Sequence, residues 1–271
     1  MGKKDQHKSD LTPLFAQFAA TDTEGKITEY LLSNSNLPGR RANLELANAF
    51  AETVAEQSSF QESEDLWQFC HLLTKISIEE APVNDPKEFL PFCGTCGLGA
   101  IGATHPELFS RTLDHLRSLA TDKRWRMREA VRIGLMRLFA TDLSVLQAEL
   151  ERWVEEENWS VLRAVATSTG EQCLEMGEEF ALWALEIHKR ILNKIIASSE
   201  RSSEEFKALR KGLAYTLSVV VHSTPIEGFD YLHQLAEKQD RDITWIVRQN
   251  LSKKRLTKNH PKEVKALEKK L

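Results

Sequence analysis

Four times along this chain an acidic residue stands six places ahead of an arginine, and in three of those stretches a tryptophan lies between them. The stretches are DKRWRMREAV (Asp122, Trp125, Arg128), ENWSVLRAVA (Glu157, Trp159, Arg163) and DITWIVRQNL (Asp242, Trp245, Arg248). EEFKALRKGL, with Glu204 and Arg210, is a weaker copy. Successive arginines are 35, 47 and 38 residues apart, close to the period of tandem two-helix units. One such unit cannot bury its apolar face alone, so a chain built this way must stack its units over a shared core.

The punctuation between the copies is helical. Asp85-Pro86-Lys87-Glu88 offers an N-cap, a proline at the first helical position and an acid at the third; Thr104-His105-Pro106-Glu107 and Thr224-Pro225-Ile226-Glu227 repeat the device. Apolar residues then recur at three- and four-residue spacing, as in Leu44, Ala47, Phe50, Ala51 and Val54, or Phe180, Trp183, Ala184, Ile187 and Ile191. Alternating β-branched runs are nearly absent. The pattern predicts an all-α chain of about 12 to 14 helices joined by short loops. Residues 1–9 read as a disordered polar lead-in and 10–271 as one domain.

With 271 residues, 41% hydrophobic and 28% charged, the chain has the composition of an ordered protein with a large core. No apolar run approaches the ~20 residues of a membrane span, and MGKKDQHKSD lacks the apolar run of a signal peptide. Four cysteines are too few for a disulfide framework, so a cytoplasmic monomer without a membrane partner is expected. The net charge of -4 conceals segregation. Residues 122–137 carry +4 and residues 248–271 carry +7, which leaves about -15 on the rest.

CGTCGLGAIG, from Cys93 to Gly102, contains both a Cys-x-x-Cys pair and a literal G-x-G-x-x-G. A dinucleotide fingerprint needs a preceding strand, and here the glycines follow a helix start at Asp85. The glycines then serve close helix packing, and Pro91 is expected to kink that helix. Cys93 and Cys96 are open to three readings: buried small residues, a redox pair, or half of a zinc site completed by Cys70 and His71. No metal or cofactor is expected. H-E-x-x-H and G-x-S-x-G motifs are absent, and His188 lies on a long amphipathic helix without a special role.

The acid and arginine register resembles the HEAT repeat family. That resemblance implies an α-solenoid of two-helix repeats, a curved, armadillo-like superhelix in which such acids and arginines form a ladder between neighbouring repeats. Within it, HPELFSRTLDHLRSLATDKRWRMREAV (His105 to Val131) resembles the AlkD-type alkylpurine DNA glycosylases, the DNA alkylation repair proteins of this class. WIVRQNLSKKRLTKNHPKEV is similar to that family's last repeats. The resemblance implies a basic concave surface that holds DNA through its phosphates, with Trp125 and Arg128 at matching positions. The family's catalytic aspartate falls on Pro91 and a further tryptophan on Ser252, so no catalytic residue carries over. Glu88, the nearest acid, reads as half of a capping box.

Three functions remain open from the sequence. The first is non-catalytic DNA binding through phosphate contacts, with Arg124, Arg128 and Arg132 on one helical flank, Trp125 beside them, and Arg248 and Arg255 on a later helix with Lys253 and Lys254 beside them. The second is a protein-interaction scaffold with a partner on the concave face. The third is a glycosylase with displaced catalytic groups. Arg128, Arg163 and Arg248 serve either the ladder or the ligand.

Overall fold

The helix starts named above are where helices begin. In the computed structural model, which describes residues 2–18, 23–60 and 62–271, Asp85 accepts a hydrogen bond from the Lys87 N–H at 2.8 Å and opens a 3-10 turn, Pro86–Glu88. Pro106 and Pro225 each occupy the first turn of a helix. The described residues contain fifteen α-helices, the turn just named and no strand, which establishes the all-α class. No helix among them is long and apolar enough to cross a membrane.

Contacts gather in two compact units, Met1–Leu146 and Gln147–Leu271. The first holds α1 (Lys3–Phe15), α2 (Thr23–Ser33), α3 (Leu44–Gln57), α4 (Ser63–Thr74), α5 (Phe89–Thr104), α6 (Pro106–Leu119) and α7 (Trp125–Leu138). Helix α8 (Leu143–Val154) carries the chain onward. The second holds α9 (Trp159–Met176), α10 (Glu178–Ala197), α11 (Glu204–Ser223), α12 (Pro225–Ala236), α13 (Arg241–Leu251), α14 (Lys254–Asn259) and α15 (Pro261–Glu268). Within the first unit α1 packs on α3, α3 on α5 and α5 on α7. In the second, α9 packs on α11 and α11 on α13, with α10 and α12 against that row. Within each unit, every second helix in these rows is therefore a neighbour.

Helix α5 is the hub of the first unit. Its residues from Phe89 to Gly102 are all buried, because α3, α4, α6 and α7 pack around it. Small residues permit this. A Cβ on Gly99 would stand 2.5 Å from the Gly134 Cα of α7, and one on Gly97 would stand 2.6 Å from the Cys70 Sγ of α4. Each glycine costs the helix about 1 kcal/mol relative to alanine, which the close approach offsets through dispersion and apolar burial. Pro91 sits third in α5, in a first turn whose N–H groups have no intrahelical acceptor, and not six residues into a helix where a kink would follow.

Within the polar lead-in, α1 begins at Lys3, in contrast to the expectation of disorder. His7 donates from Nδ1 to the Tyr30 hydroxyl at 2.8 Å, and that hydroxyl donates to Asp10 at 2.8 Å. Asn43 donates to His7 Nε2 at 3.2 Å, while its Oδ1 caps α3 by accepting from Leu46 N–H. Lys4 pairs with Glu52 at 3.1 Å, and Lys8 pairs with Glu56. Two turns without an apolar stripe are thus held by polar partners up to 48 residues away.

Candidate functional site

Three segments distant in sequence meet at the start of α7. The first is the loop from Asn34 to Asn43, which turns through Asn36 at φ 60°, in the left-handed region that asparagine tolerates. The second, Pro82 to Glu88, turns through Asn84 at φ 72°. The third is the first turn of α7, which supplies Arg126. Its Nη1 donates to Glu88 Oε2 at 2.8 Å; its Nη2 donates to the Gly39 carbonyl at 2.8 Å and to Asn84 Oδ1 at 3.3 Å. Asn84 Oδ1 also accepts from Gly39 N–H at 2.9 Å, and Glu88 Oε2 accepts from Asn84 N–H at 2.8 Å.

This knot is dry. Glu88 is 0% and Arg126 3% exposed, and Glu88 Oε1 and Arg126 Nε find no hydrogen-bond partner. A buried ion pair of this kind stabilises little in net terms but makes the loss of either partner costly. Glu88 does accept a backbone N–H just upstream, as a capping-box acid would, though from Asn84. Its carboxylate is engaged by Arg126, whose alignment with Ala130 and Gly134 at four-residue steps puts a charge on the buried stripe.

The knot fixes what surrounds it. Trp125 covers the Arg126 guanidinium, 4.4 Å from its ring centroid, yet remains 46% exposed. Arg40 and Arg41 follow Gly39 directly; both are exposed and have no ion pair among the described residues. Arg128, one turn beyond Arg124, is half-buried and donates to the Lys123 carbonyl at 3.2 Å. A solvent-facing tryptophan thus shares the first turn of α7 with Arg128, and the loop that carries Arg40 and Arg41 is tied to that turn through Arg126 and the Gly39 carbonyl. Sequence reasoning named Trp125 and Arg128 as candidates and did not name Arg40 and Arg41; the turn signals around Asn36 and Asn84 and the stripe position of Arg126 were the available clues to this arrangement.

Arg124 departs from its expected place on the flank of α7. It is the N-cap residue of that helix and 2% exposed. Its guanidinium forks onto Asp122, with Nε at 3.0 Å and Nη2 at 2.7 Å, and Nη1 donates to the Ala81 carbonyl at 3.4 Å. Asp122 therefore serves Arg124. Arg132 is turned toward its own helix, donating from Nε to Glu129 at 3.0 Å and from Nη1 to Met136 Sδ at 2.9 Å.

The second basic stretch is not one helical face. Helix α13 ends at Leu251, Ser252 caps it, and Arg255 belongs to α14. The break lies beside buried Asn250, which accepts from Ser218 N–H at 2.7 Å and donates to the Leu213 carbonyl at 2.9 Å, pinning the end of α13 onto α11. Arg248 is exposed and reaches the terminal oxygen of Leu271. Arg255 lies over the Tyr215 ring at 4.8 Å and donates to its hydroxyl at 2.9 Å. Lys254 is exposed and Lys253, the N-cap of α14, half-exposed. Asp242, six places ahead of Arg248, receives Arg210 of α11 at 2.5 Å and Arg201 at 3.6 Å, so in this unit an acid of one register is joined to the arginine of the preceding one.

Cys70, Cys93, Cys96 and Cys173 are all buried thiols. Burial pushes the Cys96 thiol up to about 12 and the Cys93 thiol well above the ordinary range. Thiolate, the form that binds zinc or attacks a disulfide, is disfavoured there. The described residues contain no group of three or more metal-ligating side chains. His188, also buried, donates from Nδ1 to the Ala184 carbonyl at 2.8 Å and accepts at Nε2 from the Thr216 hydroxyl at 2.9 Å.

No family model matches the chain, and no curated protein matches it.

Proposed function

We propose that this protein is a HEAT-like α-solenoid that binds duplex DNA through its phosphates without catalysing a reaction on it. The packing of every second helix within each unit supports the solenoid reading. The observation that carries the binding reading is the group around the knot: Arg40, Arg41 and Arg128 near a tryptophan that is 46% exposed, on backbone that Arg126 holds in place. Arginines anchored in this way contact phosphate oxygens with little loss of side-chain order, and the indole face supplies apolar contact to sugar or an unstacked base. Lys253, Lys254 and Arg248 are a second basic group, on their own unit. Glu88, already bonded to Arg126 and Asn84, is not free to act on a substrate, which supports a binding role over glycosylase chemistry.

The test is fluorescence anisotropy with a labelled duplex of about 20 base pairs, titrated at several salt concentrations. Binding should weaken steeply with salt, and Arg40→Ala/Arg41→Ala should reduce the magnitude of the log–log salt slope by about 2. Absence of binding at ~50 mM salt overturns the proposal. Protein partners that survive nuclease treatment in a pull-down would instead favour the scaffold reading, and release of alkylated bases above a no-enzyme control would favour the glycosylase.

A further inference from the structure

The second unit carries a cleft that the nucleic-acid reading does not use. It measures about 520 Å³ and is lined by Glu157, Trp159, Leu162, Lys194, Ala197, Ser198, Ser199 and Glu200. Trp159 is the first residue of α9, and Asn158 fixes it there by accepting from the Ser160 and Val161 N–H groups at 3.0 and 3.3 Å. Phe206 meets the Trp159 ring edge-on, with centroids 5.5 Å apart. The indole is thus held from one side while it lines the cleft on another. Leu162 and Ala197 add apolar lining beside Ser198 and Ser199.

The charge at this cleft is negative where it is free. Glu157 and Glu200 are exposed and have no ion-pair partner among the described residues. Lys194, the one cation in the lining, donates to the Glu155 carbonyl at 3.2 Å and lies 3.9 Å from its carboxylate, so its charge is compensated outside the cleft. Helix α10 ends at the cleft, where Arg201 caps it by donating to the Ile196 and Ser198 carbonyls at 3.0 and 2.9 Å. Two unpaired carboxylates in the lining separate this cleft from the arginines around Trp125.

We infer that the cleft binds the guanidinium of an arginine side chain presented by a basic protein segment. A single aromatic wall suits a planar cation that stacks on one face, whereas recognition of a methylated ammonium uses a cage of several rings. The N–H donors of a guanidinium match carboxylate acceptors such as Glu157 and Glu200, and Leu162 and Ala197 offer apolar contact to the methylene stem.

The test uses full-length, 15N-labelled protein and the probe acetyl-Gly-Ser-Arg-Ser-Gly-amide, with the same peptide carrying citrulline or lysine in place of arginine. The indole N–H signal of Trp159, assigned through Trp159→Phe, should shift saturably with the arginine peptide while that of Trp125 stays in place. Glu157→Gln/Glu200→Gln, two exposed and unpaired positions, should weaken binding about tenfold and leave the duplex affinity of the protein unchanged. Citrulline has the same shape without the charge and should not bind. The inference is overturned by an absence of shift up to ~10 mM peptide, by equal binding of the citrulline or lysine peptide, or by unchanged affinity in the double variant.

Discussion

Replacing Arg126 by methionine keeps the length of the side chain and removes its charge and all of its donors. Three hydrogen bonds disappear, to Glu88, Gly39 and Asn84, and the Glu88 carboxylate is left at 0% exposure with the Asn84 N–H as its remaining donor. Breaking a buried pair from one side costs about 3 to 5 kcal/mol, because the stranded charge keeps its desolvation penalty and loses its attraction. Glu88→Gln should cost less, since a neutral amide is cheaper to bury. Glu88→Leu/Arg126→Met should recover most of the loss, because two apolar side chains need no partners. For a chain of this size Arg126→Met is expected to lower Tm by about 10 °C. The assay is urea unfolding followed by circular dichroism, with hydrogen exchange at the Gly39 amide as a local reporter of the loop. Arg126→Met costing under about 1 kcal/mol, or a double variant worse than both singles added, refutes the argument.

Gly99→Ala should destabilise the first unit by about 1 to 3 kcal/mol or more, since the new methyl would stand 2.5 Å from backbone that cannot swing aside; unfolding midpoints measure it. His188, which desolvation holds neutral with its pKa lowered to about 4, should make stability fall as pH drops from about 6.5 toward 4. The direction follows because the unfolded imidazole takes up its proton first. The full effect is about 3 kcal/mol, and His188→Gln should flatten that part of the pH–stability curve. Trp125→Ala should shift the urea midpoint very little, since the ring is 46% exposed, and should weaken duplex binding about tenfold or more in an anisotropy titration.

Helix starts and the buried stripes were legible in the sequence because both are local. Proline at a first turn and a three-to-four residue rhythm need no knowledge of the rest of the chain, and α5, α6, α12 and their neighbours begin where these signs stand. Polar side chains were not legible in the same way. Arg124 and Arg126 look alike on paper, beside Arg128 in a basic run, yet Arg124 is engaged by Asp122 and the Ala81 carbonyl and Arg126 by Glu88 and Gly39. Their partners lie up to 87 residues away, and spacing carries no trace of them. The same blindness made residues 1–9 look frayed, since His7 among them is held to α2 and α3 through Tyr30 and Asn43. The break between Ser252 and Lys253 was hidden for a different reason: it is set by Asn250 reaching into α11, and an asparagine within a helical rhythm gives no sign of which backbone it will engage.

The enclosure of α5 gives the molecule a pair of internal clocks. Cys70, Cys93 and Cys96 lie together in the first unit and Cys173 lies alone in the second, none of them reachable by a thiol reagent while its surroundings stay closed. Alkylation timed in native buffer therefore records how often each unit opens, site by site. Equal rates at Cys93 and Cys173 would mean that the two units melt as one, and unequal rates would rank their lifetimes without any engineered label.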